Sequence, residues 1–253
     1  MNSNYKLNQN EISTKNSKNY ANFKNINSKY ILELIFKNLS LKNSLLIMKC
    51  NRDIQNKLGI TIKDYIEYSE IEVEIIPAKN KFGKFINIPN GEDESNFLIY
   101  FNDNKNEIKK TNFYSIDNVK KIKIIIKKKV QSFHGLFEDI DCIESICFKR
   151  FNRTNIINMS RMFFLCSALK KIDLSKFITN NVTDMSCMFA GCKCLKNIDL
   201  TKFNFDKLKD MSMMFSGCSS LKYINLINHD FFNSKYETIN KVGIFEGCNK
   251  LIL

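Results

Sequence analysis

The chain has 253 residues, 44% of them hydrophobic, which is long enough to bury a core in one long domain or two smaller ones. Its formal net charge is +13, but residues 131–253 hold 16 lysines and arginines against 12 acidic residues, so +9 lies in residues 1–130. Six lysines fall within Lys120–Lys129 alone. Because the excess is concentrated in one strand-like segment, we interpret it as a solvated strand edge, and nucleic acid is not an expected partner.

The sequence also bears on location. No run of about 18 apolar residues is present, so no membrane span is expected, and the first 28 residues lack the apolar stretch of a signal peptide. We therefore expect a cytoplasmic protein, with a surface location left open. The nine cysteines are expected to stay reduced.

The N-terminal part divides into two predicted segments. Residues 1–27 are rich in Asn, Lys and Ser without an apolar period, which predicts a disordered tail. Residues 28–70 are predicted to be helical, because apolar residues from Ile31 to Leu39 follow a helical spacing and a second such run begins after Ser40.

Residues 71–129 are predicted to be a β-rich connecting region. Residues 71–75 alternate strictly between apolar and acidic side chains, and further strands are predicted over 82–88, 97–101 and 122–126. Pro77 and the segment Pro89–Gly91 supply breaks. The pairing of these strands cannot be read from the sequence.

Residues 130–253 repeat with a period of 26 residues. The segments Asn158-Met-Ser-Arg-Met-Phe163, Asp184-Met-Ser-Cys-Met-Phe189 and Asp210-Met-Ser-Met-Met-Phe215 align, and cysteine, leucine and isoleucine columns keep the same register. Fixed self-similarity at this spacing indicates stacked units.

Each unit is predicted to pair a short helix with a short strand. Met185, Met188, Phe189 and Cys192 occupy one helical face, with Asp184 as N-cap and a glycine at the C-terminal end. The following Leu-x-x-Ile-x-Leu spacing is typical of a leucine-rich-repeat strand. The expected fold class is therefore α/β: a short leucine-rich-repeat-like solenoid, with a parallel inner sheet and short outer helices, preceded by a small helical segment and a β-rich segment.

The segment from Asn181 to Leu200 resembles the BspA-like leucine-rich repeats, in particular the Met-Ser-x-Met-Phe type of mycoplasma lipoproteins and protist proteins. The resemblance covers about Phe133 to Leu253 and implies surface or protein-interaction roles without catalytic residues. Residues 29–58 look somewhat like an F-box, although the usual leading Leu-Pro and the customary Trp are absent. That likeness implies a substrate adaptor of a ubiquitin ligase.

Residues that could carry chemistry have structural interpretations. The cysteines at 166, 192, 218 and 248 recur once per repeat, which suits buried packing better than a zinc site. His134 is expected to be a partly buried structural residue, and neither it nor His229 sits in a catalytic arrangement. We therefore expect no enzyme activity, no metal and no cofactor.

The predicted binding surface is the inner face of the repeat strands, where alternate side chains point outward. Its residues are Lys171, Asp173, Ser175, Asn197, Asp199, Thr201, Tyr223 and Asn225. A second, basic edge is formed by Arg150, Lys176 and Lys202. The leading hypothesis is a module that binds a protein partner, with an F-box adaptor or a surface adhesin as alternatives. The uncapped C-terminal repeat predicts either pairing with another molecule, self-association included, or a truncated gene product.

Overall fold

The computed structural model of the chain describes residues 47, 52–58, 70–89, 91–127, 130–153, 155–226 and 237–252. The chain divides into two compact units, Met1–Glu67 and Tyr68–Leu253. In the first unit the described residues are Ile47 and the helix α1, Arg52–Leu58. The predicted disordered tail and most of the predicted helical, F-box-like segment lie outside the described residues.

The second unit is built mainly from strands, which we number in chain order. They are β1 Ile71–Pro77, β2 Gly83–Lys84, β3 Phe97–Phe101, β4 Asn112–Phe113, β5 Ile122–Ile126, β6 Ile143–Arg150, β7 Lys171–Asp173, β8 Asn197–Asp199 and β9 Tyr223–Asn225. Two 3-10 turns, Glu94–Asn96 and Ser115–Asp117, precede β3 and β5. The strands predicted over 71–75, 97–101 and 122–126 are confirmed, whereas the prediction over 82–88 shrinks to β2.

The main sheet has five strands in the order β3-β5-β1-β6-β7. β1, β3, β5 and β6 pair antiparallel, and only the β6–β7 pair is parallel. In β1 the apolar residues Ile71, Val73 and Ile75 are buried, while the intervening glutamates are partly exposed. The sheet therefore continues from the β-rich region directly into the repeats.

The basic segment Lys120–Lys129 is not an edge. It contains β5, which lies between β3 and β1. Its partly exposed lysines find local partners: Lys121 pairs with Asp103 at 2.5 Å, and the ammonium of Lys123 lies 5.1 Å from the centroid of the Tyr100 ring. The interpretation as a solvated strand edge is wrong, because both sides of β5 are occupied by other strands.

The predicted α/β fold class is also wrong. The second unit is mostly β, with a mixed sheet, and its described residues contain no α-helix. The segments predicted as outer helices are runs of hydrogen-bonded turns instead. Parallel pairing within named strands is confined, in the described part, to the short pairs β6–β7 and β8–β9. A leucine-rich-repeat solenoid with outer helices and a continuous parallel inner sheet is therefore not what the chain forms.

Backbone amides explain why these segments do not become helices. The amides of Met185, Cys187, Phe189 and Gly191 donate to carbonyls of the next repeat at 2.7–2.9 Å. The amide of Met188, between them, closes a local turn onto the carbonyl of Met185. Because alternate N–H groups point at the neighbouring repeat, they cannot make the i to i−4 bonds that a helix requires.

These turns stack in register from repeat to repeat. Parallel bridges join Ser132 to Asn158, Asn158 to Asp184, Asp184 to Asp210, and Asp210 to Asn240. We call the segments 132–140, 158–166, 184–192, 210–218 and 240–248 the turn stack. Its interior holds a column of phenylalanine rings with centroids 5.4–5.9 Å apart, from residues Phe137, Phe163, Phe189, Phe215 and Phe245.

One buried arginine joins the two parts of this unit. The guanidinium of Arg153, 1% exposed, donates to the carbonyls of Lys127 and Val130 at 2.8 and 2.9 Å. Burial lowers the pKa of Arg153 to about 10. The two carbonyls belong to the connection between β5 and the turn stack, so Arg153 fixes that connection. A single apolar cluster runs through both parts.

Candidate functional site

Three successive repeat strands present their side chains on one open surface. β6 pairs with β7, and β8 with β9, in parallel register, so that equivalent residues of successive repeats lie side by side. The central isoleucines of β7, β8 and β9 pack toward the core. The residues on either side of them are exposed and form what we call the exposed strand face: Lys171, Asp173, Asn197, Asp199, Tyr223 and Asn225.

Two carboxylates on this face are held in fixed positions. Asp173 Oδ1 accepts a hydrogen bond from the backbone amide of Ser175 at 2.9 Å, and Asp199 Oδ1 accepts one from the amide of Thr201 at 2.8 Å. The backbone bond from Ser175 lowers the pKa of Asp173, and bonding by the Thr201 side chain and backbone lowers that of Asp199. Both groups are therefore ionised acceptors at neutral pH.

The predicted inner-face residues are thus brought together, although not all as open contacts. Ser175 is exposed, whereas Thr201 is half-buried. Tyr223 is 54% exposed, so much of its ring is available for contact. The Cys147 thiol, on the neighbouring strand β6 and in register with Asp173, donates to Asp173 Oδ2 at 3.4 Å.

The predicted basic edge is not one continuous row. Arg150 lies in the main sheet, where its guanidinium meets Glu72 Oε2 on β1 at 3.3 Å. Lys176 and Lys202, at the ends of the next two repeat strands, are exposed. The arginine is therefore used within the sheet, while the two lysines remain open to solvent.

The cysteine column serves packing. The thiols of Cys166, Cys192, Cys218 and Cys248 each donate to a phenylalanine carbonyl of the preceding repeat at 2.9–3.2 Å. Burial raises the pKa of the Cys166 and Cys218 thiols to about 12. These thiols are therefore neutral and poor nucleophiles at neutral pH. No group of three His, Cys, Asp or Glu side chains suited to a metal ion occurs among the described residues.

A histidine and a serine meet without forming a catalytic pair. His134 Nδ1 lies 2.7 Å from Ser160 Oγ, and that hydroxyl donates to Asn158 Oδ1 at 2.7 Å. The serine proton is thus directed away from the imidazole, which must itself donate to Oγ. His134 is exposed rather than partly buried as predicted, and His229 lies outside the described residues.

Two repeats start with an aspartate, Asp184 and Asp210, which the sequence predicts to be helix N-caps. Asp184 Oδ1 accepts from the backbone amide and the hydroxyl of Ser186, and Asp210 Oδ1 accepts from the amide of Ser212. These carboxylates cap turns, not helices. The recurrent Asp-Met-Ser spacing was the available signal, because Asp binds its own backbone two residues on.

One protein family matches a part of the chain that includes most of the repeats. Residues 101–235 match the family described as Mycoplasma protein of unknown function, DUF285. No curated protein and no solved structure matches the chain. The family match does not include residues 28–70, and nothing in the comparisons supports either an F-box or a leucine-rich repeat. In the described part of the chain no helix is long and apolar enough to cross a membrane. With more than half of its residues matched, the chain belongs to the DUF285 family of mycoplasma proteins.

Proposed function

We propose that the chain is a non-enzymatic binding module that holds a protein partner on the exposed strand face. One observation carries this proposal: three repeats present two parallel rows of exposed side chains. In one row Asn197 and Tyr223 lie side by side, and Lys171 occupies the same position one repeat earlier. In the second row Asp199 and Asn225 lie side by side, and Asp173 occupies the same position one repeat earlier.

The chemistry of the face favours a protein over nucleic acid. It mixes cationic, anionic, amide and aromatic groups, whereas a nucleic-acid surface is more uniformly basic. Tyrosine is enriched in protein interfaces. Asp173 and Asp199 are already ordered by backbone amides, so that little side-chain entropy is lost when a partner donates to them.

Affinity purification with mass spectrometry tests the proposal. The full chain is compared with a variant carrying Asp173→Asn, Asp199→Asn and Tyr223→Ala, in which the asparagines keep an oxygen for the backbone amides. The matched control removes two acids and one tyrosine elsewhere, through Glu94→Gln, Asp141→Asn and Tyr114→Ala. We expect partners to be lost from the face variant only. Partners that persist on the face variant would overturn the proposal.

The two alternative functions have separate tests. An F-box adaptor would recover the adaptor subunit of cullin ligases in a pull-down, and failure with residues 28–70 intact would remove that hypothesis. An adhesin would be accessible to protease on intact cells. No observation in the described residues favours either alternative.

A further inference from the structure

The strand ladder of the repeats is interrupted between β7 and β8. β6 is hydrogen-bonded to β7, and β8 to β9, but in the described part of the chain no backbone hydrogen bond joins β7 to β8. The facing backbone groups of these two strands therefore do not satisfy each other. A shallow depression opens at this place, lined by Lys170, Lys171, Ile172, Cys194, Lys196 and Asn197.

Three lysines line this depression, Lys170, Lys171 and Lys196, and Lys222 lies one repeat further on. Lys170, Lys196 and Lys222 occupy the same position in successive repeats, immediately before the strand, and the amide of Lys222 donates to the carbonyl of Lys196 at 2.7 Å. Lys170 forms an exposed ion pair with Glu144 at 3.3 Å. Lys171, Lys196 and Lys222 form no ion pair with any acidic residue that the structure describes. We call these three the lysine cluster.

The basic edge differs in its surroundings. Asp199 lies at the end of β8, three residues before Lys202. After the hydrogen bonds from Thr201, the positive charge of Lys202 is a further cause of the lowered pKa of Asp199. The charge at the strand ends is therefore partly balanced within the chain. At the strand beginnings the lysine cluster makes no ion pair with any described acidic residue, so its ammonium groups are open to a carboxylate from outside.

We infer, building on the proposed function, that an acidic peptide segment of the partner lies across the β7–β8 opening. Its carboxylates face the lysine cluster. The exposed aspartates at the other end of the strands repel the same segment. This arrangement fixes where an acidic segment lies on the face.

The test measures binding of a fluorescent peptide of alternating glutamate and serine to the full chain, by anisotropy at low salt. Lys171→Glu with Lys196→Glu should weaken binding roughly tenfold or more, because attractions become repulsions. Lys176→Glu with Lys202→Glu makes the same change in net charge at the strand ends and should alter binding by about twofold at most. The milder pair Lys171→Gln with Lys196→Gln should give an intermediate loss, and thermal unfolding checks that each variant folds.

Equal losses in the two glutamate variants would overturn the inference, because binding would then follow overall charge alone. Failure of the unmodified chain to bind the peptide would overturn it as well. If the unmodified chain fails to bind the peptide while the face variant still loses its cellular partners, the acidic-segment inference falls and the proposed function stands. If the peptide binds at the cluster but the face variant keeps its partners, the proposed function falls.

Discussion

The antiparallel region, formed by β1, β3 and β5, and the turn stack use backbone hydrogen bonds in different ways. In the antiparallel region Ile71 pairs with Ile126 and Ile75 with Ile122, so that the sequence separation changes along each pair of strands. In the turn stack Met185 and Phe189 bond to the next repeat at one constant offset. Register is therefore set by side-chain burial in the first region and by repeat length in the second.

Removing the central phenylalanine ring of the turn stack should cause the largest loss in the free energy of unfolding. It also tests whether the two regions unfold together. Phe189 is fully buried and stacks on Phe163 and Phe215, so Phe189→Ala should cost about 3–5 kcal/mol. Ile124→Ala, in the antiparallel region, should cost about 2–5 kcal/mol. Because one apolar cluster spans both regions, we expect a single shared transition.

The reporter for this experiment is a tryptophan on β3. The chain contains no tryptophan, so Tyr100→Trp gives an unambiguous fluorescence signal from the antiparallel region during urea unfolding. Phe189→Ala and Ile124→Ala should both lower the urea concentration at the midpoint of this fluorescence transition. If Phe189→Ala left the urea midpoint of the tryptophan signal unchanged, the two regions would unfold separately. Tyr114→Ala, at an exposed position, is the control and should change that midpoint little.

The same contrast explains which parts of the fold the sequence could predict. Strict alternation locates β1, short apolar runs between breaks locate β3 and β5, and the period locates the stacked phenylalanines. The spacing of Met185, Met188, Phe189 and Cys192 fits a helical face, but stacked turns bury the same four side chains, so spacing alone cannot separate the two. Pairing of β1 with β6, and hence the use of Arg150 by Glu72, had no signal in the sequence.

A second positive φ distinguishes turns from a helix. Cys187 and Gly191 have φ of 53° and 76°, a conformation incompatible with a continuous helix at both positions. The sequence alone predicts that Gly191 ends a helix. Position 187 carries glycine only in the first and last repeats, as Gly135 and Gly243, both with positive φ. Aligning those outer repeats was the signal that would have favoured turns.

The next largest expected effect is a loss of stability at alkaline pH, caused by the buried thiols of the turn stack. The pKa values of Cys166 and Cys218 rise from 9.0 to about 12 on folding, so their contribution is complete below about pH 9 and is lost as pH rises toward 12. Each thiol can contribute a slope of up to about 1.4 kcal/mol per pH unit in that window.

Urea unfolding at pH 8 and pH 10 under reducing conditions measures this slope. Residues 71–126 contain no cysteine, whereas Cys166 and Cys218 lie in the repeats, so a changed slope in a variant of these two thiols is assigned to the repeats. The double variant Cys166→Ala, Cys218→Ala should be less stable at pH 8 but should lose less stability on going to pH 10. Replacing the exposed Cys194 with alanine should leave the slope as it is. An unchanged slope in the double variant would contradict the prediction.

Glycine substitutions compare close packing in the two regions. An added Cβ at Gly191 would lie 2.6 Å from Leu165 Cδ2 and 3.3 Å from Leu165 Cα, whereas nothing lies within 4 Å at Gly91. Both have positive φ, which costs an alanine about 1–2 kcal/mol. Gly191→Ala should therefore lower the free energy of unfolding by about 1–3 kcal/mol more than Gly91→Ala does. Equal costs would show that neighbouring repeats are not in close contact there.

The smallest effect concerns the polar column that links the repeats. Asp184 and Asp210 occupy adjacent repeats, and Asn158 and Asn240, outside them, each donate an amide to the nearer carboxylate at 3.5 and 3.1 Å. Asp184→Asn keeps an oxygen for the amide of Ser186 and removes one of two neighbouring charges. It should stabilise the chain by a few tenths of a kcal/mol at low salt, and the gain should fade as salt screens the remaining charge.

Asp184→Ala separates the two contributions of this residue. It removes the same charge but also the acceptor for the Ser186 amide and hydroxyl, and so it should cost about 1 kcal/mol. In the antiparallel region the glutamates of β1 meet basic residues of neighbouring strands instead, Glu74 with Lys121 and Lys149 and Glu72 with Arg150. If Asp184→Asn destabilised the chain as much as Asp184→Ala, the second carboxylate oxygen, and not the turn cap, would be what joins one repeat to the next.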